Sequence, residues 1–168
     1  NYNRELLRKS VVLGKNDLLK FLLNKGVNPS DKNEKGDFPL LFAAMFDNDE
    51  AGRILLENGA NLEMKNNNLK DSFYVAVEEN SINVVSFLVK KGVNVNKKYD
   101  KDVTPLHIAA RNGSFEVTKL LIEKGANVNA IDKYKWTPLM DAAIGDCSDS
   151  EGDSYFPNNK NNKNYEKI

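Results

Sequence analysis

Four glycines, at positions 26, 59, 92 and 125, stand 33 residues apart. The residue after each is Val27, Ala60, Val93 or Ala126, and the next is Asn28, Asn61, Asn94 or Asn127. A register held over four copies constrains the chain to a repeat array. Each unit is too small to bury its own apolar face and must stack on the next.

The most regular unit runs from Thr104 to Ala130. Thr104 can cap a helix with its hydroxyl, and Pro105 sits where a missing N–H costs nothing. Leu106, Ala109 and Ala110 give one apolar stripe, with alanines small enough for close helix contact. Gly113 can take the left-handed conformation that ends this short helix. Ser114 can cap a second helix, and Ser81 and Asn48 hold the same place in two other copies. Val117, Leu120 and Leu121 form the buried stripe of that second helix, and Gly125 ends it.

With this period, the run Thr104-Pro105-Leu106-His107-Ile108-Ala109-Ala110 resembles the ankyrin repeat, over roughly residues 1–145. The resemblance implies an all-α solenoid of stacked helix-turn-helix units linked by β-hairpin-like loops. The copies fall at about 1–33, 34–66, 67–99 and 100–132, with a partial fifth from 133. It also implies that His107, the single histidine, is structural and ties loops together by hydrogen bonds.

The copies differ in ways that bear on function. In the first, Leu6, Leu7, Ser10 and Val11 match the first helix, and Leu18, Phe21 and Leu22 the second. Arg4, Arg8 and Lys9 make its outer face polar, as a terminal cap requires; the alternative is an internal repeat with Val12 and Leu13 awaiting a neighbour. The second copy has Phe38 in place of the capping Thr and Asp47 in place of the helix-ending Gly. Its Met45 and Phe46 fall at outward, variable positions of the family, as a partner's anchor or as core against a neighbouring repeat. The third, Asp71-Ser72-Phe73-Tyr74-Val75-Ala76-Val77, has lost both Thr and Pro, and Asn80 replaces the Gly. Glu78 and Glu79 there are an acidic contact surface or a solvated helix end.

In the fourth copy, Tyr99 and Lys101 lie in the hairpin region, Asp102 replaces the usual Gly, and Arg111 is outward. The fifth restarts with Thr137-Pro138-Leu139-Met140-Asp141-Ala142-Ala143, preceded by Tyr134 and Trp136. Trp136 is a contact residue, a residue packed on the adjacent hairpin, or both. After Gly145 the register fails: Ser150, Asp153 and Ser154 stand where Val117, Leu120 and Leu121 stand one repeat earlier. Residues 146–168 read as an acidic, then Asn/Lys-rich flexible tail, or as an insertion. Ser148 and Ser150, each with an acid three residues on, resemble an acidophilic-kinase site.

Composition narrows the function. Of 168 residues, 24 are Lys or Arg and 24 are Asp or Glu, so the net charge gives no electrostatic case for nucleic acid or an anionic membrane. No apolar run approaches a membrane span. One cysteine and one histidine exclude a disulfide framework and a Cys/His zinc site. No phosphate-cradling glycine loop or catalytic constellation is visible. The expectation is a monomeric, non-catalytic, cytoplasmic protein-interaction module. It has no cofactor, no metal and no small-molecule substrate, and presents a concave surface to another protein. The proposed contacts, carried from the resemblance, are Met45 and Phe46, Glu78 and Glu79, Tyr99 and Lys101, Arg111, and Tyr134 with Trp136. The alternative is a piece of a larger effector or toxin whose activity lies elsewhere.

Overall fold

The computed structural model describes residues 2–145, and the 146–168 segment with Ser148 and Ser150 lies outside the described residues. Helices come in antiparallel pairs. The inner members are α1 (Tyr2–Val12), α3 (Pro39–Met45), α5 (Ser72–Glu78), α7 (Pro105–Arg111) and α9 (Pro138–Gly145). The outer members are α2 (Asn16–Asn24), α4 (Asp49–Glu57), α6 (Ile82–Lys90) and α8 (Phe115–Glu123). Inner helices pack in the order α1, α3, α5, α7, α9, and outer ones in the order α2, α4, α6, α8. The all-α solenoid expected from the resemblance is the fold observed. No described helix is long and apolar enough to cross a membrane.

Each outer helix ends the same way. Gly26, Gly59, Gly92 and Gly125 have φ between +83° and +90°, a region that costs a side chain and favours glycine. There the N–H of Val27, Ala60, Val93 or Ala126 reaches back five residues to a helix carbonyl, at 2.9–3.2 Å. These are Schellman caps, and they explain the glycine column. Gly14 and Gly113 turn each inner helix into its partner with φ +63°, and Asp47 and Asn80 adopt the same conformation.

The core is one continuous strip between inner and outer helices. Leu7, Leu40, Phe73 and Leu106 occupy one register position and are all buried, as are Ala43, Ala76 and Ala109 at another. The ends of the stack differ. Phe21 is exposed although Ile54 and Phe87 at its position are buried, because among the described residues α2 has an outer-helix neighbour, α4, on one side alone. Leu139 on α9 is 79% exposed, against 2% for Leu106.

The linking loops are hairpin-like turns, with no strand among the described residues. Asn33, Asn66, Tyr99 and Asp132 each donate a backbone N–H to the carbonyl four residues on, at 2.8–3.0 Å. Three of these residues also accept with a side chain: Asn33, Asn66 and Asp132 each take two loop N–H groups on Oδ1. Tyr99 cannot, and a single 3-10 turn at Asp100–Asp102 replaces that arrangement.

Two expected caps are absent. Ser81 and Ser114 are buried and accept no N–H, while Asn48 does cap, taking Ala51 N at 3.0 Å. For α6 an acceptor comes from the previous repeat: Asp47 Oδ1 takes Val84 N at 3.0 Å. A carboxylate reaching across the seam does what the local serine was expected to do.

Candidate protein-interaction surface

The ends of the inner helices repeat at 33-residue spacing and form a column along the stack. Adjacent copies touch there. Asn48 Nδ2 donates to Val11 O at 2.9 Å, and Asn112 Nδ2 to Glu78 O at 3.0 Å. Met45 and Phe46 end α3 and are 40% and 54% exposed, so the core reading of this pair does not hold. Leu13, one repeat earlier at the position of Phe46, is also exposed.

Glu78 and Glu79 fall at the same places on α5 but behave differently. Lys70 Nζ lies 2.7 and 2.6 Å from the two carboxylate oxygens of Glu78 and 4.8 Å from the centre of the Tyr74 ring. Glu79 is exposed, and its carboxylate has no hydrogen-bond or ion-pair partner among the described residues. Partial burial, then the neighbouring Glu78, push its carboxyl above the usual range. Arg111 is already engaged: its Nε and Nη2 donate to Asp141 Oδ1 at 3.2 and 2.8 Å. Asp141 is buried, so this pair ties α7 to α9.

The loop residues also divide. Lys101 and Tyr134 are exposed. Lys101 has φ +59°, and its carbonyl takes Lys133 N at 2.8 Å, which links two successive loops. Trp136 is half-buried, and its backbone carries more than its ring does. Its N–H donates to Asp132 Oδ1 at 2.9 Å, and its carbonyl accepts from Asp132 N at 3.0 Å. The same carbonyl lies 3.0 Å from His107 Nε2.

His107 has the structural place that the resemblance implied. Thr104 N donates to Nδ1 at 3.2 Å, so Nδ1 is the unprotonated acceptor and Nε2 carries the proton given to Trp136 O. Thr104 Oγ1 is 2.7 Å from Nδ1 and completes the arrangement. The ring is fully buried, locking the start of α7 to the loop of the next copy.

Tyr99 is turned into the stack. Its hydroxyl donates to Asp71 Oδ1 at 3.0 Å, and its ring meets Tyr74 edge-on at 4.9 Å. Burial first, then Asp71, push its phenol well above the ordinary value. Asp71 is the residue that sequence reasoning missed. It stands where other copies have Thr, takes Tyr74 N at 2.8 Å as a helix cap, and has Lys97 Nζ 2.8 Å from Oδ2. Aspartate caps as well as threonine does, and that was the available signal. Lys97 also reaches Glu63 at 3.2 Å. Burial pulls its ammonium down, but the bonds and charges of Asp71 and Glu63 outweigh this and leave it raised.

The nine expected contacts therefore fall into two groups. Met45, Phe46, Glu79, Lys101 and Tyr134 face solvent, whereas Glu78, Tyr99, Arg111 and Trp136 are engaged in the stack. Among the described residues, no three His, Cys, Asp or Glu side chains group to hold a metal. In comparison with known proteins, the family model described as Ankyrin repeats (3 copies) matches residues 7–99 and 97–150. No protein of curated function matches the chain.

Proposed function

The chain belongs to the ankyrin-repeat family, and from that premise we propose that it is a non-catalytic module that binds another protein through its inner-helix column and loop tips. Ankyrin repeats are in general protein–protein interaction modules, and no catalytic domain is found in the chain. The observation that carries the reading is the exposed pair Met45 and Phe46. Adjacent large apolar side chains at a surface, beside free charge, are the usual make-up of an interface anchor. Helix pairs, Schellman caps and the His107 lock hold the surrounding backbone in place without them. Binding would then lose little ordering entropy.

The test is a pull-down with the 168-residue chain beside a Met45→Ser/Phe46→Ser variant that melts at the wild-type temperature. A protein retained by wild type and lost by the variant supports the reading. Equal retention of every specific partner by both sinks it.

A further inference from the structure

The column is not uniform along the stack. Its first two copies present Leu13, Met45 and Phe46, all apolar and exposed. The third presents two carboxylates, and one cation, Lys70, is bonded to one of them. In the fourth, Arg111 is bound to Asp141, and the neutral Asn112 donates to the Glu78 carbonyl, so this copy supplies no free charge to Glu79. The order is apolar, apolar, anionic, neutral.

We propose that the partner segment carries a large apolar residue that seats against Met45 and Phe46, and a Lys or Arg that reaches Glu79. This rests on the reading of the column as the binding surface and adds the chemistry of the occupant. Charge complementarity carries it: a carboxylate beside a second carboxylate, without a cation of its own, is the place on this surface where a positive side chain gains most. The carboxyl of Glu79 is raised first by partial burial and then by Glu78, with the charge of Lys70 opposing both. The apolar end supplies the contact area, and the acidic end fixes direction and register.

Spacing follows from the fold. Neighbouring helices sit about 8–10 Å apart. An extended segment covers that in about three residues, and a helix in about five to seven. The interval between apolar and basic residues in the bound segment therefore reports its conformation.

The experiment pans a random 16-residue phage-displayed peptide library on the full 168-residue chain. The best peptide is then measured by fluorescence polarisation against folded variants. Enriched peptides should pair a Leu, Ile, Met or aromatic residue with Lys or Arg at one of those intervals. Phe46→Ser should weaken binding about tenfold or more, as loss of an anchor does. Glu79→Lys should weaken it about tenfold, by loss of attraction and gain of repulsion. Glu79→Gln should weaken it less and flatten the salt dependence. Peptides without basic residues, or binding lost with Phe46→Ser but indifferent to Glu79→Lys, overturn the proposed chemistry and leave the surface standing. Binding indifferent to both variants overturns the surface as well. No enrichment over an unrelated bait refutes a linear segment of this kind.

Discussion

The third and fourth helix pairs hold equivalent places in the stack, yet their inner helices begin with different chemistry. The fourth begins with a neutral set: Thr104, Pro105 and His107, with the ring bonded at both nitrogens. The third begins with an ionic set: Asp71, buried to 2%, takes a helix N–H, a phenol and an ammonium. Both join the start of a helix to the loop of the next copy, through Trp136 O in one case and Tyr99 OH in the other. The difference teaches that one seam can be closed by different side chains, and α3, entered from Phe38 with no side-chain cap, shows that a side-chain acceptor at the helix start is not obligatory.

The ionic seam should be the more costly to break. Asp71→Ala removes a cap worth about 1 kcal/mol. It also leaves the Tyr99 hydroxyl without its partner and Lys97 with Glu63 alone, for a total of about 3 kcal/mol. A urea titration followed by circular dichroism would read this as a lowered midpoint; an unchanged midpoint would show that the network contributes nothing. The same seam should fail in alkali. Tyr99 and Lys97 hold their protons more tightly in the folded chain than in the unfolded one, where they ionise near 10.0 and 10.5. Their contribution is complete below those values and is lost as pH rises beyond them, since the unfolded chain then binds fewer protons. Tyr99→Phe should flatten the fall in stability between about pH 9 and 11. An unaltered slope would count against it.

The neutral seam gives the next largest effect. His107→Leu places there the residue that the second copy already has as Leu41, also buried. Volume is roughly kept, but the buried Thr104 N–H loses its acceptor. We expect a loss of about 2 kcal/mol, smaller than at Asp71, because no charge is stranded. If the two losses came out reversed, the ranking of ionic over neutral seam would be wrong. The repair runs the other way. Ser72 is fully buried where Pro39 and Pro105 stand, and its hydroxyl has no partner among the described residues. Asp71 has φ −92° and ψ 176°, which suits a residue before proline. Ser72→Pro should therefore raise stability by up to about 1 kcal/mol, seen as a higher melting temperature.

Backbone features were legible in the sequence because each is a local demand. The glycine column is a left-handed cap four times over, and Thr104 with Pro105 marks a helix start wherever it occurs. Asp47 and Asn80 could be placed at turns because their neighbours fixed the register. Partners across a seam were not legible. Asp47 with Val84, Arg111 with Asp141, and Asp71 with Lys97 and Tyr99 are 26–37 residues apart. Each is a choice made jointly by two copies, and periodicity averages such choices away. The same limit governed the candidate contacts. Register gives a set of positions that recur along the stack, but only packing separates Glu79, which has no bonded partner among the described residues, from Glu78 and Arg111, which are bound.

That separation makes Glu79 the finest probe of the ionic region. Its folded carboxyl is raised, first by partial burial and then by Glu78, so the folded chain binds this proton more tightly than the unfolded chain. Stability contributed by the group then falls as pH rises through the carboxylate range, and the full penalty stands at neutral pH. Glu79→Gln should stabilise the free protein at about pH 7 by roughly a few tenths of a kcal/mol, since solvent screens an exposed pair. The gain should vanish near about pH 3, where both side chains are neutral. A matched pair of urea titrations at the two values would read it. A gain of equal size at both would assign the effect to packing instead of charge. If Glu79→Gln stabilises the free chain while weakening its hold on a basic peptide, the unpaired carboxylate is a charge kept at a cost to folding. Lys70 is bonded to Glu78, so the proposed use for that charge is a cation brought by the partner segment.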